Sequence, residues 1–270
     1  MDPSPCLEDM PKEVKENMLK WCDYSSVIAL GKTCKTWHNF IRAPDHNLPI
    51  LAINLKCGKN SYGMQVMSTV PFENIIDLNY VTLEYKQDAE NNNVTRCPDV
   101  NWESPRTTLV ENEDCKLLKK DLEVLKQLLG NSRLMTFEID CDDVSNARYL
   151  RGLCERYHEL CKIVSGVWGN QLIEANCLKM KFPIEIYAGR VLRTFAPGIL
   201  RRIILSPIEV GGIDFNAINI ISLKDTSRMA QWIGAKEIFC SQISRQNLIP
   251  KESSIWNGFS YNGFISRQHI

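Results

Sequence analysis

Three side chains have the residue types and spacing of a metal site. Cys154, His158 and Cys161 are four and three residues apart, which places them on one face of a helix. Cys141 or Cys177 is available as a fourth ligand of a tetrahedral zinc site. Structural zinc sites, however, usually take their ligands in pairs from turns, and the same segment is rich in leucine and tyrosine. The pattern therefore favours a helix packed in the core, and we expect no metal and no cofactor.

The sequence gives little indication of a catalytic site. The nucleophile motif Gly-x-Ser-x-Gly, the phosphate loop Gly-x-x-x-x-Gly-Lys and the zinc motif His-Glu-x-x-His are all missing from the sequence. The pair Asp142-Asp143 follows a predicted strand, where capping the next helix is the commoner role. The histidines lie in no recognisable motif; they are His38, His46, His158 and His269. We expect no catalytic residues, and a small-molecule enzyme built on an α/β sheet is the alternative that these absences disfavour.

Composition and charge limit the classes of function that the protein can have. The chain has 270 residues, of which 44% are apolar, and its 32 basic and 32 acidic residues cancel. That balance excludes a polycationic nucleic-acid binder, and no apolar stretch approaches the ~20 residues that span a bilayer. The first residues lack the pattern of a signal peptide, so we expect a cytoplasmic or nuclear protein without nucleic-acid or membrane partners. In that setting the 11 cysteines are expected to be free thiols.

A basic run lies between residues 179 and 202, with six bases and one acid. Lys179 and Lys181 alternate along a predicted strand, so both side chains point to one face of the sheet. Arg201 and Arg202 are adjacent in the next predicted strand, so only one of them can lie on that face. This pattern is typical of solvated faces that balance acids elsewhere; the functional alternative is a strip that selects an acidic or phosphorylated target protein. The predicted substrate-binding residues are Lys179, Lys181, Arg201 and Arg202.

The sequence divides into three parts, whose predicted helices and strands position the residues discussed above. Residues 1–44 show three short apolar stripes at helical spacing, with Pro11 at a helix start and Trp37 in the third stripe. Residues 45–115 form a connecting region with the first sheet elements; within it, 84–114 holds eight acids and three bases and is expected to be a surface loop.

Helical and alternating patterns succeed one another in residues 116–270. Strands are predicted near 134–141, 178–182, 200–205 and 238–240, and helices near 117–129, 149–160, 185–195 and 229–235. Repeated helix–strand units predict a sheet with one helical face, either an open α/β sheet or an irregular solenoid.

The N-terminal unit resembles an F-box without a gap from Met10 through Trp37. The matching steps are Met10-Pro11, Glu13-Val14, Met18-Leu19, Cys22-Asp23, the aliphatics Val27, Ile28 and Leu30, and the closing Cys34-Lys35-Thr36-Trp37. The resemblance implies that this edge binds a Skp-type adaptor. The implied adaptor-binding residues are Met10, Pro11, Val14, Met18, Leu19, Val27, Ile28 and Leu30.

The C-terminal part resembles the FTH domain that accompanies F-boxes in the large nematode F-box family. The resemblance lies in three segments: Asp121-Leu122-x-x-Leu125-x-x-Leu128-Leu129-x-Asn131, Phe195-Ala196-Pro197-Gly198-Ile199-Leu200-Arg201-Arg202-Ile203, and Met229-Ala230-Gln231-Trp232-Ile233-Gly234-Ala235-Lys236. The implied fold class is α+β, with a three-helix F-box followed by an α/β, leucine-rich-repeat-like FTH domain. We assign Trp232 and the Pro197-Gly198 turn to architecture.

The function implied by the two resemblances is that of a non-catalytic substrate receptor in a Skp–cullin–F-box ubiquitin ligase. The adaptor would link the chain to a cullin, while the C-terminal domain captures an unknown target protein. The alternative is an F-box scaffold or decoy that binds the adaptor without delivering a substrate.

Overall fold

The structure is a computed structural model of the chain. It describes residues 7–22, 24–41, 43, 50–72, 75–87, 94–98, 107–109, 114–130, 132–145, 147–169, 171–183, 186–208, 228–240 and 264–266.

Three short helices form the N-terminal unit: α1 (Lys12–Lys20), α2 (Tyr24–Thr33) and α3 (Lys35–Ile41), after a 3-10 turn at Leu7–Asp9. Pro11 is the N-cap of α1, and its carbonyl oxygen accepts hydrogen bonds from the Val14 and Lys15 amides at 3.1 Å. The start of α3 is held by Cys34, whose Sγ accepts a hydrogen bond from the Trp37 amide at 3.4 Å. The three predicted helices are therefore present.

A ten-stranded sheet makes up the rest of the fold, in the order β10-β9-β8-β7-β6-β1-β2-β3-β4-β5. The strands are β1 (Ile50–Cys57), β2 (Ser61–Phe72), β3 (Ile75–Gln87), β4 (Val94–Pro98), β5 (Thr107–Leu109), β6 (Leu134–Cys141), β7 (Ala175–Phe182), β8 (Arg202–Pro207), β9 (Glu237–Cys240) and β10 (Phe264–Ser266). The helices of this part are α4 (Asp114–Leu129), α5 (Leu150–Trp168), α6 (Ile186–Leu192) and α7 (Ala230–Gly234), with a 3-10 turn at Ala147–Tyr149 before α5.

One half of the sheet is an antiparallel meander from β1 to β5. It corrects the prediction of a surface loop at 84–114, because β3 continues to Gln87 and pairs with β4, which in turn pairs with β5. The loop prediction was based on charge, whereas Val94-Thr95 and Thr107-Thr108 are β-branched residues that suit a ladder. The segments between these strands lie outside the described residues.

The other half is parallel: β1, β6, β7, β8 and β9 are neighbours in that order. Leu55 pairs in register with Ile139, and Met180 pairs in turn with Ile139 and Leu205. Helix α5 connects β6 to β7, and α6 lies between β7 and β8, as the predicted helix–strand alternation requires. All four predicted strands are present, within a few residues of the predicted limits.

The helices cover one face of the sheet. Helix α4 contacts β2 and β3, and α5 contacts β1 and α4. Most strand residues that point to this face are buried; the largest that are fully buried are Ile53, Leu55, Tyr62, Met64, Tyr85, Phe137 and Phe182. Between α4 and the meander, the Tyr85 hydroxyl donates a 2.7 Å hydrogen bond to the Asp121 carboxylate. The predicted single helical face is thus present.

Two predicted architectural residues are where the sequence placed them. Trp232 is 4% exposed in α7, and Gly198 has φ +81° in a turn shortly before β8. A left-handed φ favours glycine at this position, and the role of the turn in directing the chain into β8 stays a prediction. Helix α6 ends earlier than predicted, at Leu192. Of the described helices, none is long and apolar enough to cross a membrane.

Candidate functional site

Helix α1 carries two different apolar faces. Lys15 and Leu19 are buried and face the helical unit itself. Pro11, Val14 and Met18 lie at spacings of three and four residues on an adjacent face; Pro11 and Val14 are exposed and Met18 is half-buried. A helix that serves only its own core needs one apolar stripe, so the second stripe is available to a partner.

The second stripe is longer than the sequence-based set. Trp21 follows Met18 by three residues and is 56% exposed, while Leu7 in the preceding turn is 49% exposed and Val14 is 44% exposed. We call Leu7, Pro11, Val14, Met18 and Trp21 the α1 stripe. Leu7 precedes the matched motif and Trp21 falls between two of its matching steps, so neither residue was in the sequence-based set.

The eight expected adaptor-binding residues divide by burial. Leu19 is 4% exposed and Val27 is fully buried, so neither side chain is accessible to a partner. We correct the expectation for these two residues: they pack the unit and hold the stripe in place. The exposed or half-buried residues of the set are Met10, Pro11, Val14, Met18, Ile28 and Leu30, for which adaptor contact stays a prediction.

The interior that supports the stripe is centred on Trp37, which is fully buried. The Trp37 ring meets Phe40 edge to face at a centroid distance of 5.7 Å. The Lys15 ammonium lies 5.9 Å from the Trp37 centroid and 5.7 Å from the Phe40 centroid, which are cation–π distances. A lysine that is only 7% exposed is thereby accommodated on the aromatic pair.

The expected basic strip is on one face of the sheet but is not net positive. Lys179 and Lys181 alternate along β7, and Arg202 pairs in register with Cys177 on the same face. Each of the three basic groups has an acidic partner: the pairs are Lys179–Glu138 at 3.8 Å, Lys181–Asp143 at 2.7 Å and Arg202–Glu237.

These acids come from neighbouring strands and from the loop after β6. We therefore correct the expected charge of the strip, while substrate contact stays a prediction. Arg201 lies just before β8 and is exposed. The Glu237 carboxylate, which accepts a hydrogen bond from the Arg202 guanidinium, raises the pKa of that arginine.

The suggested metal ligands do not converge. Cys161 is fully buried and Cys154 is half-buried, whereas the His158 ring lies 3.5 Å from the Arg190 guanidinium. Cys141 points to the helical face and Cys177 to the opposite face. Among the residues that the structure describes, no group of three or more His, Cys, Asp and Glu side chains is arranged to hold a metal ion.

The described cysteines are free thiols, and five of them are buried: Cys57, Cys141, Cys161, Cys177 and Cys240. Burial raises the pKa of Cys115 to about 11, and burial also raises the pKa values of Cys161 and Cys240. Cys141 lies beside Cys57 on the neighbouring parallel strand, and the hydrogen bond between the two thiols, together with burial, raises its pKa. With their pKa values raised, Cys115, Cys141, Cys161 and Cys240 are protonated near neutral pH.

Comparison with known proteins identifies one part of the chain. The model of the F-box domain matches residues 7–48, which include the three N-terminal helices and the whole α1 stripe. No curated protein matches the chain. No solved structure matches it either. The chain therefore contains an F-box domain at residues 7–48, ahead of its mixed sheet.

Proposed function

We propose that this chain is the substrate-recognition subunit of a Skp–cullin–F-box ubiquitin ligase. Its F-box would bind a Skp-type adaptor, and through it a cullin, while the C-terminal α/β unit binds a target protein. F-box proteins are generally non-catalytic adaptors, and an adaptor-binding role is typical of the domain found at residues 7–48.

The observation that carries the proposal is the α1 stripe. Val14 and Trp21 leave large apolar surfaces in contact with water although the helix already has a buried face at Leu19. Exposing such groups is unfavourable by roughly 25 cal/mol per Å², a cost that a partner removes when it covers them. An amphipathic helix that offers anchors at spacings of three and four residues suits a hydrophobic groove on the adaptor.

The C-terminal unit is the part of the chain that remains for a target. The motifs around Leu125, Pro197-Gly198 and Trp232 support its assignment as an FTH-like domain, with parallel strands that follow one another as in leucine-rich repeats. Its face with Lys179, Lys181 and Arg202 alternates basic and acidic groups, so a partner there would be selected by the arrangement of charges and not by net charge.

The chain would act by proximity. A bound target would be held near the ubiquitin-conjugating partner, which raises the effective concentration of the target lysine without any chemistry by this chain. Such a role fits a cytoplasmic or nuclear location.

The alternative is an F-box scaffold or decoy that binds the adaptor and delivers no substrate. It uses the same α1 stripe and differs only in the fate of whatever binds the C-terminal unit. Turnover of a captured protein distinguishes the two functions.

The test is an affinity purification of the intact chain beside a chain without residues 1–42, with co-purifying proteins identified by mass spectrometry. We expect the adaptor and a cullin only with the intact chain, and target proteins with both. If the adaptor is recovered equally from both chains, the proposal fails. If adaptor recovery needs residues 1–42 but captured proteins are as long-lived as in cells lacking the chain, the decoy is the function.

A further inference from the structure

The side of the sheet opposite helices α4, α5 and α6 carries a row of side chains that crosses six strands. Along β7, Leu178 and Met180 are buried on the helical side, so Lys179 between them points to the other side. Residues that are paired across a sheet share a face, and the pairing is in register from β2 to β9. We call this side the open face; its row consists of Gln65, Asn54, Glu138, Lys179, Ile204 and Phe239.

Charges of opposite sign lie on the two central strands of the open face. Glu138 of β6 is in register with Lys179 of β7, and the Lys179 ammonium lies 3.8 Å from the Glu138 carboxylate. That distance is longer than a hydrogen bond. The Lys179 side chain is 44% exposed and that of Glu138 is 32% exposed. A lysine has several donors and a carboxylate several acceptor positions, so both groups have hydrogen-bonding capacity left for a partner.

The arrangement of these charges is complementary to itself. A two-fold axis parallel to the strands, between β6 and β7, would place β6 of one copy over β7 of the other. Because Glu138 and Lys179 are in register, Glu138 of each copy would then face Lys179 of the other copy. A two-fold axis across the strands would instead place β6 over β6, with acid facing acid. Charge therefore favours one way of pairing two open faces.

The rest of the open face has the size and the apolar groups that an interface needs. Ile204 and Phe239 are half-buried on β8 and β9, and Tyr80 on β3 is 53% exposed. Neighbouring strands lie about 4.8 Å apart, so the face from β9 to β3 is about 30 Å wide. Such a face can provide the ~800 Å² that each partner buries in an ordinary interface. Because charged groups lie at its centre, we expect a weak, salt-dependent association and not an obligate dimer.

We propose that the open face binds a second copy of this chain, in a two-fold dimer in which the Glu138–Lys179 pairs of both copies form one cluster of four charges. Each ammonium would lie between two carboxylates, and each carboxylate between two ammonium groups. The dimer goes beyond the proposed ligase function and does not depend on it. A target protein that bound to the same face would compete with the second copy.

The experiment is sedimentation equilibrium of the full chain over about a hundredfold range of protein concentration. We expect the average mass to rise from the 30.9 kDa of one chain toward twice that value, and to fall again when salt is added. A parent chain that stays monomeric at every concentration in low salt overturns the proposal and leaves the open face to a target protein.

Two charge reversals test the predicted contact. Glu138→Lys and Lys179→Glu each place like charges across the dimer, so each should weaken self-association at least about tenfold. The matched control is Glu123→Lys, which reverses one charge of the exposed Lys119–Glu123 pair on α4 and should associate as the parent does. The reversed pair is exposed, so thermal unfolding should change little. Self-association of both reversed variants at the strength of the parent would overturn the proposal.

The two reversed variants should bind each other. In a mixed dimer of Glu138→Lys and Lys179→Glu, both contacts between the copies again join opposite charges. A fluorescent tracer of Glu138→Lys should therefore bind Lys179→Glu about as tightly as the parent binds itself, which also shows that both variants are folded. Lys119→Glu has the same net charge as Lys179→Glu but keeps one contact between like charges, so the tracer should bind it at least about fivefold more weakly.

Equal binding of the tracer to Lys179→Glu and Lys119→Glu would contradict the proposed contact, because net charge alone would then explain the association. Adaptor binding by the same variants tests the ligase function separately. The reversals leave the α1 stripe unchanged, so loss of the dimer with adaptor binding retained leaves that function standing.

Discussion

The Lys15 ammonium lies over the Trp37 ring, 5.9 Å from its centroid, in the interior of the F-box. This contact joins the buried face of α1 to α3 and, together with the burial of Leu19, favours one rotation of α1 about its axis. With that rotation set, Pro11 and Val14 are held outward on the α1 stripe. A buried residue of α1 thus helps to set which side chains the helix presents on its surface.

Trp37→Ala should remove adaptor binding by unfolding the site. Truncating a buried tryptophan costs about 3–5 kcal/mol, which is a large fraction of the stability of so small a unit. Chemical denaturation followed by circular dichroism measures the loss. Trp21→Ala is the control: Trp21 is 56% exposed, so the free energy of unfolding should change by less than about 0.5 kcal/mol. Equal stability of the parent and Trp37→Ala would contradict the placement of Trp37.

Trp232→Ala should destabilise the C-terminal unit by about 3–5 kcal/mol, because the indole is only 4% exposed. The next residue offers a matched control, since Ile233 is 52% exposed on the same short helix. We expect Ile233→Ala to shift the denaturation midpoint little. If both changes cost the same, Trp232 is not a core residue and its assignment to architecture is wrong.

Asp114→Asn should destabilise the chain by up to about 3 kcal/mol, because it leaves the Arg156 charge without its partner. The lower end of the range for buried pairs applies, since the Arg156 side chain is 20% exposed. Thermal unfolding of the variant beside Glu123→Gln, which removes an exposed ion pair with Lys119, provides the comparison. Identical unfolding of the two variants would show that the Arg156–Asp114 pair contributes nothing.

The buried thiols should resist alkylation in the native protein. With its pKa at about 11, Cys115 is ionised to only about one part in a thousand at pH 8, so iodoacetamide should label it far more slowly than a free thiol. Raising the pH toward 11 should raise the rate, and denaturant should expose all thiols at once. Peptide mass spectrometry gives the rate for each cysteine, and rapid labelling of Cys115 at pH 8 would contradict its raised pKa.

The alternating strands could be predicted because buried apolar residues and more exposed residues alternate along each strand. In β6, Phe137 and Ile139 are buried while Glu138 is half-buried, which is the pattern the sequence shows. The same signal was present in β2, where Tyr62, Met64 and Val66 are buried, but the meander was not predicted strand by strand. Net charge dominated the interpretation of 84–114, although strand formation depends on β-propensity and pairing.

What the sequence could not predict depends on long-range pairing. The parallel register of β1 with β6 joins Leu55 to Ile139 across a whole meander and a helix. The contacts of Lys59 with the Tyr149 ring and of Asp114 with Arg156 join residues far apart in the chain, so they leave no local signal in the sequence. The ion pairs of the basic strip were likewise invisible, because Glu138 and Glu237 belong to neighbouring strands. By contrast, the position of Leu19 and Val14 on different faces of α1 follows from the helical angle between them and could be predicted from the sequence.

The most direct test of the central claim is a titration of a purified Skp-type adaptor against the full chain and a Val14→Glu variant. Lys20→Gln is the control, because it makes the same change of charge on α1 away from the stripe. We expect Val14→Glu to weaken adaptor binding at least about tenfold with unchanged thermal unfolding, and Lys20→Gln to bind as the parent does. Equal affinity of the parent and Val14→Glu, with both folded, would contradict the assignment of the α1 stripe as the adaptor-binding face.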